Sequence, residues 1–217
     1  MVKKKIEKEL KEIHSRIKND IIQRLSDFKK IWQDGNDLDI FSELVFCLLT
    51  PQMKPVTCWN AVQNLQNENL LLEGSPKQIT SGISNIRFKN KRGEYIFEAR
   101  KLFCDEDGFF IKSKIDSFDN MYNARKWFVN NVKGIGYKEA SHFLRNIGKG
   151  EDFAILDRHI LKNMQSLGLI DKIPASLSEK RYITIENKLS EFAQEIKIPL
   201  NHLDFIMWYK ETGFIFK

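Results

Sequence analysis

Two amphipathic segments joined by a very short turn are the feature that most constrains the fold of this chain. Apolar side chains recur at helical spacing along residues 120–132 and again along residues 137–147, which predicts two helices. The residues between them read Lys-Gly-Ile-Gly, and glycines permit the tight turn that so short a connection needs. The sequence therefore predicts a helical hairpin with Ile135 buried in it. Gly134 and Gly136 would leave backbone N–H groups uncovered and free to approach a phosphate.

The rest of the chain carries the same helical pattern. Apolar residues at intervals of three and four, with glycine or proline at the breaks, predict further helices. Their approximate ranges are 4–32, 39–49, 55–66, 76–83, 89–103, 157–167, 178–196 and 201–211. Residues 108–111 have the composition of a short strand, but no second segment offers a partner for it. An all-α fold follows, with about eight to ten short helices in two lobes and a groove between them.

Composition places the chain among globular proteins with an excess of basic residues. Hydrophobic residues make up 42% of its 217 residues, and the formal net charge is +6. The positive charge is concentrated in residues 1–33 and in residues 87–92, which favours a polyanionic partner such as nucleic acid. Charge runs are also common on solvated helix faces, so the charge alone does not decide between these alternatives.

The cysteine and histidine content excludes several kinds of site. Three scattered cysteines, at positions 47, 58 and 104, are too few for a four-cysteine iron–sulfur cluster and fit reduced intracellular thiols. Four histidines, at positions 14, 142, 159 and 202, show no metal-ligand spacing. No apolar run has the length of a membrane span, and no signal peptide is recognisable. We therefore expect a soluble, intracellular protein.

Lys138 and Asp157 are the residues on which a chemical role depends. Lys138 lies in the first turn of the predicted helix 137–147, where the positive end of the helix dipole disfavours an ammonium group. A neutral lysine amine is a nucleophile for covalent catalysis. Asp157 follows nineteen residues later, at the predicted start of another helix, where an aspartate is also a common capping residue. Capping and catalysis are compatible for Asp157, because the chemistry needs a fixed carboxylate.

Residues 132–140, Val-Lys-Gly-Ile-Gly-Tyr-Lys-Glu-Ala, resemble the signature of the helix–hairpin–helix DNA glycosylase superfamily. Bifunctional members of that superfamily carry a catalytic lysine on the second helix of the hairpin and a catalytic aspartate further on, at a similar interval. The resemblance implies that Lys138 and Asp157 are the catalytic residues. It also implies that Gly134, Gly136 and Arg158 contact DNA.

Other segments resemble one branch of the superfamily, the compact, cluster-free 8-oxoguanine DNA glycosylases of archaea and some bacteria. Residues 46–52 resemble the segment whose polar wedge fills the gap left by the extruded nucleotide, and Gln52 is the matching residue. Trp208 and Lys217 match a tryptophan and a terminal lysine that line the base pocket, and Phe88 matches the opposing aromatic face. Core packing is the alternative for Trp208, because apolar residues surround it in the sequence.

The composition of the last residues of the chain predicts that they are packed against the protein. The last residues are apolar where a disordered tail would be polar, so we expect the terminus to be packed. The α-carboxylate after Lys217 would then be available to accept hydrogen bonds from the edge of a guanine.

The resemblance implies a bifunctional enzyme of base excision repair. The enzyme would flip 8-oxoguanine out of duplex DNA, expel the base through attack of Lys138 on the sugar C1′, and cleave the strand by β-elimination. Residues 1–34 and 150–217 would form one lobe, with the base pocket and Asp157. Residues 35–149 would form the other lobe and end in the hairpin, at the cleft between the two.

Two alternatives remain open at this stage. A glycosylase and lyase for oxidised pyrimidines, of the endonuclease III type, normally has the cysteine cluster that this chain lacks. A non-catalytic hairpin protein that only grips duplex DNA would not need the pair Lys138 and Asp157.

For the 8-oxoguanine enzyme we expect a monomer with no cofactor, no metal and no membrane partner. Its partner would be duplex DNA with 8-oxoguanine or abasic sites, in the cytoplasm of a prokaryote, associated with the nucleoid.

Overall fold

The chain folds into helices with very little strand. The structure is a computed structural model and describes residues 2–217. Within that range there are twelve helices and one short pair of strands. The helices are α1 (Val2–Asp34), α2 (Asp37–Leu49), α3 (Pro55–Asn67), α4 (Leu70–Glu73), α5 (Pro76–Gly82), α6 (Lys89–Phe103), α7 (Ile111–Asp116), α8 (Met121–Asn131), α9 (Tyr137–Asn146), α10 (Arg158–Ser166), α11 (Glu179–Ile196) and α12 (Leu200–Thr212). The predicted all-α class is confirmed.

Two details of the predicted secondary structure are wrong. The strand near residue 108 does have a partner, because β1 (Cys104–Asp105) pairs antiparallel with β2 (Gly108–Phe109). The partner was hidden in the sequence because it directly follows the last turn of α6 and is only two residues long. The short helices α4 and α7 were also missed, since a segment of one or two turns shows too little periodicity to be recognised.

The chain divides into two compact units. The first unit contains the chain up to Asp27, residues Gly150–Ile215, and Lys217. The second unit contains Phe28–Lys149 together with Phe216. Helix α1 therefore contributes its longer part to the first unit and its last turns to the second. The assignment of different chemical tasks to two lobes stays a prediction.

Helix α2 forms the centre of the second unit. Its start is fixed by a capping box, in which Asn36 accepts from the backbone N–H of Asp39 and the Asp39 carboxylate accepts from the N–H of Asn36. From Ile40 to Leu49 every side chain is buried, including the polar Ser42 and Glu43, and the other eight residues are apolar, as expected for a central helix. Helices α3, α6, α7 and α9 pack around it. This packing places the hairpin helix α9 directly against α2.

The first unit is built on helices α10, α11 and α12, with the first part of α1. Helix α11 buries one stripe of side chains, among them Tyr182, Glu186 and Leu189. The non-helical residues that precede α10, from Phe153 to Leu156, are buried as well. Among the residues that the structure describes, no helix has the length and apolar character needed to cross a membrane.

Candidate active site

The predicted hairpin is present between α8 and α9. Gly134 has a positive φ of 87°, a conformation that favours glycine. A Cβ atom on Gly134 would lie 2.4 Å from Cδ2 of Tyr95, so α6 also approaches the turn closely. Ile135 is only 6% exposed and anchors the turn, as predicted. Gly134 is exposed and Gly136 is half-buried, which leaves this stretch of backbone partly open to a ligand.

Lys138 is the second residue of α9, as the sequence predicts. Its side chain is 20% exposed, and its Nζ lies 3.9 Å from Oε1 of Glu139. The other carboxylate oxygen of Glu139, Oε2, accepts a hydrogen bond of 3.3 Å from the backbone N–H of Gly136. The expectation that this N–H is uncovered is therefore wrong, because the Glu139 side chain reaches back to it. Glu139 therefore caps α9 with one oxygen and faces Lys138 with the other.

Two buried thiols lie near Lys138 in the second unit. Burial raises the pKa of the Cys47 thiol, and the positive charge of Lys138 acts in the opposite direction. Burial also raises the pKa of Cys58 to about 11, again against the effect of nearby positive charges, Arg92 and Lys138. Both thiols are therefore protonated at neutral pH. Lys138 is thus close enough to two uncharged thiols, one on α2 and one on α3, for its charge to affect their pKa values.

Asp157 is the N-cap of α10 in the first unit. Its Oδ1 accepts a hydrogen bond of 2.8 Å from the backbone N–H of Ile160, so the capping role considered from the sequence is real. Within residues 2–217, Oδ2 accepts no hydrogen bond, and the residue is half-buried. One oxygen is therefore engaged in holding the helix, and the other remains available to a substrate.

Trp208 lies on α12 in the same unit as Asp157. Its ring meets the ring of His159 edge-on at 5.1 Å between centroids and that of Phe214 at 6.4 Å. Trp208 is half-buried, whereas its neighbour Met207 is fully buried, and its role as a face of the base pocket stays a prediction. Its contact with His159 links α12 to the first turn of α10, where Arg158 is exposed. Lys217 is half-buried and also belongs to this unit.

Gln52 and Phe88 both have unusual backbone conformations in the second unit. Gln52 follows α2 with a φ of 59°, and Phe88 precedes α6 with a φ of 56°. Phe88 is 60% exposed. The Arg87 guanidinium lies over its ring, and the backbone N–H of Arg87 reaches Sδ of Met53. The structure therefore places Phe88 in the segment that contacts the Gln52 turn, and its role as a face of the base pocket stays a prediction.

Arg92 holds the turn that presents Gln52. Its guanidinium donates hydrogen bonds to the backbone oxygens of Leu49 and Pro51, and the Sγ of Cys58 donates to Leu49 O at 3.2 Å. These bonds satisfy carbonyl groups that the end of α2 leaves without helical partners. Arg92 is only 6% exposed, and its burial lowers the pKa of the guanidinium.

Comparisons with known proteins identify the family. A family model described as 8-oxoguanine DNA glycosylase matches residues 21–198 of the chain. The chain belongs to the 8-oxoguanine DNA glycosylase family. Among its relatives are proteins named 8-oxoguanine DNA glycosylase/AP lyase from Fusobacterium nucleatum and Methanocaldococcus jannaschii. The first is 42% identical over 98% of this chain and 96% of its own length, and the second is 40% identical over 100% of both chains.

Solved structures of other members of this family have the same fold. The 8-oxoguanine DNA glycosylase of Thermotoga maritima matches with a TM-score of 0.88 and 33% identity, over 99% of this chain and 100% of its own. The M. jannaschii 8-oxoguanine glycosylase/lyase in complex with a 15mer DNA containing 8-oxoguanine matches with a TM-score of 0.88 and 36% identity. That match covers 98% of this chain and 99% of the other.

Two polar residues that shape the candidate site, Glu139 and Arg92, were not predicted from the sequence. Glu139 follows Gly136 at the interval of a capping box, and this spacing was available as a signal. Arg92 occupies a stripe of α6 whose other members, Ile96, Ala99 and Phe103, are buried and apolar. An arginine at such a position indicates a buried guanidinium with specific acceptors.

Among the described residues, no group of three or more His, Cys, Asp or Glu side chains could hold a metal ion.

Proposed function

We propose that the chain is a bifunctional 8-oxoguanine DNA glycosylase and AP lyase of base excision repair. The observation that carries this proposal is Lys138 at the start of α9, directly after the hairpin turn. Membership of the family and the names of its relatives support the same activity. The name of these relatives refers to 8-oxoguanine, not to an oxidised pyrimidine.

Lys138 acts as the nucleophile. Its neutral amine attacks C1′ of the flipped nucleotide, and the C1′–N9 bond breaks as the base leaves with the electron pair. Loss of a proton from nitrogen and opening of the sugar ring give a Schiff base between Nζ and C1′. Removal of a C2′ proton then expels the 3′ phosphate, which cleaves the strand. The position of Lys138 at the start of α9, with a side chain that is 20% exposed, supports this role.

Asp157 stabilises the positive charge that grows on the sugar as the base leaves. Its Oδ1 is fixed by the cap of α10, so Oδ2 is presented without the cost of ordering the side chain at the moment of reaction. Gly134 offers its backbone N–H to a phosphate, Gly136 contacts the DNA backbone at the same turn, and Arg158 adds a positive side chain.

Base recognition and the filling of the gap are assigned to four further residues. Trp208 and Lys217 line the pocket for the flipped base, and Phe88 provides an aromatic surface for stacking. Gln52 enters the space that the flipped nucleotide leaves. The exposed positions of Gln52 and Phe88 support contact with DNA. We place the enzyme on cellular DNA in the cytoplasm as a monomer.

Trapping with borohydride tests the proposal. Reduction of the Schiff base makes the link between protein and DNA permanent, so the wild-type protein becomes covalently attached to a duplex with one 8-oxoguanine. Lys138→Gln abolishes this product. Lys133→Gln removes a positive charge from the exposed turn of the same hairpin and serves as the matched control, with trapping retained.

Three outcomes would contradict the proposal. Undiminished trapping in Lys138→Gln would show that another amine is the nucleophile. Excision of oxidised pyrimidines in preference to 8-oxoguanine, in a panel of duplexes with single lesions, would favour the endonuclease III type of activity. A protein that binds the duplexes but neither excises nor traps would be the non-catalytic hairpin protein.

A further inference from the structure

The segment that leads into Asp157 is buried without being part of a helix or strand. Phe153, Ala154, Ile155 and Leu156 are each at most 6% exposed, and α10 begins only after Asp157. The backbone N–H of Asp157 donates to Ile155 O at 2.7 Å, which makes a tight three-residue turn. Buried backbone groups outside regular structure need partners from elsewhere, because an unsatisfied group is costly.

Two side chains of α11 supply those partners. The hydroxyl of Tyr182 donates to Ala154 O at 2.6 Å and accepts from the N–H of Leu156 at 3.3 Å. The carboxylate of Glu186, one turn later, accepts from the N–H of Ala154 at 2.9 Å. Tyr182 is fully buried and Glu186 is 4% exposed. Three polar groups of the backbone just before Asp157 are thus held from a single helix.

We propose that Tyr182 and Glu186 are positioning residues that set the direction of the Asp157 side chain for base excision. This positioning role rests on the proposed role of Asp157. Tyr182 fixes Leu156, which is bonded directly to Asp157, and the cap on Ile160 fixes the other side of the same residue. The Asp157 carboxylate is therefore held from both directions along the chain. A displacement of about 1 Å at a reacting group can cost about 100-fold in rate, so a loosened segment slows base release.

Tyr182→Phe tests the inference with little change in volume. The variant loses the hydroxyl and leaves Ala154 O and Leu156 N–H without these bonds. We expect its single-turnover rate of 8-oxoguanine release to fall by about 10- to 100-fold. Strand cleavage at a preformed abasic site should change less than about twofold, because no base has to leave. Tyr209→Phe is the matched control, since that hydroxyl makes no hydrogen bond within residues 2–217.

A double-mutant cycle separates positioning from a general loss of structure. If Tyr182 acts through Asp157, Tyr182→Phe adds no further loss of rate in an Asp157→Asn background. Rates are compared at a temperature where circular dichroism shows each variant to be folded. Equal loss of base release and of abasic-site cleavage, or full additivity in the cycle, would overturn the inference. Normal base release in Asp157→Asn alone would instead refute the proposed role of Asp157.

A pair of Glu186 variants gives a second test that does not depend on the folding of Tyr182→Phe. Glu186→Gln keeps an oxygen acceptor for the N–H of Ala154, so we expect a rate close to that of the wild type. Glu186→Met removes the acceptor at similar size and should slow base release like Tyr182→Phe. Equal rates in the two Glu186 variants would show that the hydrogen bond does not position Asp157.

Discussion

Gly134 and Gly136 offer a sharp test of the hairpin, because the two glycines face different surroundings. At Gly134 the φ of 87° costs an alanine about 1–2 kcal/mol. Its Cβ would also lie 2.4 Å from Cδ2 of Tyr95, and overpacking of this kind costs about 1–3 kcal/mol. At Gly136 the φ is −105°, which any residue adopts. The nearest atom there is the tip of the flexible Glu139 side chain, at 3.2 Å.

Gly134→Ala should therefore lower the free energy of unfolding by about 2–5 kcal/mol. In a chain of this length that corresponds to roughly 5–15 °C in Tm. Gly136→Ala should change the free energy of unfolding by less than about 1 kcal/mol. Denaturant titrations of the two variants, followed by circular dichroism, measure the difference directly.

Tyr95→Ala shows how much of the stability lost in Gly134→Ala comes from contact with the Tyr95 ring. Without the ring, only the backbone term remains, so Gly134→Ala should cost about 1–2 kcal/mol in the Tyr95→Ala background. Equal stability of the two glycine variants would refute the account of the turn. An unchanged penalty in the Tyr95→Ala background would refute the contribution of the ring contact.

Three further expectations concern other parts of the molecule. Asp157→Asn should leave Tm nearly unchanged, because asparagine caps a helix as well as aspartate. Its single-turnover rate of base release should fall by about 100-fold or more. A normal rate of base release would contradict the catalytic role. Arg92→Met should lower the free energy of unfolding by about 2–4 kcal/mol in a denaturant titration, because the carbonyls of Leu49 and Pro51 lose their buried donor. Burial lowers the pKa of His202 to about 4, with His14 and Lys18 adding to the effect. The unfolded chain therefore binds more protons than the folded one between about pH 6.5 and pH 4, and stability should fall by about 1–3 kcal/mol as the pH drops through that range. His202→Gln should flatten this dependence.

The hairpin was accessible to sequence analysis because its signals are local. Glycines at a short turn, an apolar residue between them and helical spacing on both sides fall within a single stretch of chain. The same is true of Lys138 at the start of α9 and of Asp157 at the start of α10. The resemblance to the glycosylase family rested on the same stretches of sequence, and the family assignment is confirmed.

The residues that hold these segments in place could not be predicted in the same way. Arg92 and Glu186 lie on stripes of α6 and α11 that are otherwise apolar, so the pattern alone indicates an interruption of the core. Their acceptors and donors, at Pro51 O and at the N–H of Ala154, are distant in the sequence and belong to segments without regular structure. Only tertiary packing brings these groups together, and local patterns in a single sequence do not predict which distant segments come into contact.

Glu139 and Asp157 share one arrangement, in which one carboxylate oxygen caps the start of a helix and the other takes no part in the cap. At the start of α9, Glu139 caps Gly136 with Oε2 and lies 3.9 Å from the Lys138 amine with Oε1. At the start of α10, Asp157 caps Ile160 with Oδ1, while Oδ2 accepts no hydrogen bond within residues 2–217. In each case the cap immobilises a charged group at the start of a helix, and the proposed roles of Lys138 and Asp157 would use this rigidity for electrostatic stabilisation. Alanine at either position removes both functions together, whereas the amides Gln and Asn retain the capping oxygen and remove only the charge. The chemical contribution of each carboxylate is therefore measured by the amide variant, and the capping contribution by the difference between the amide and the alanine variants.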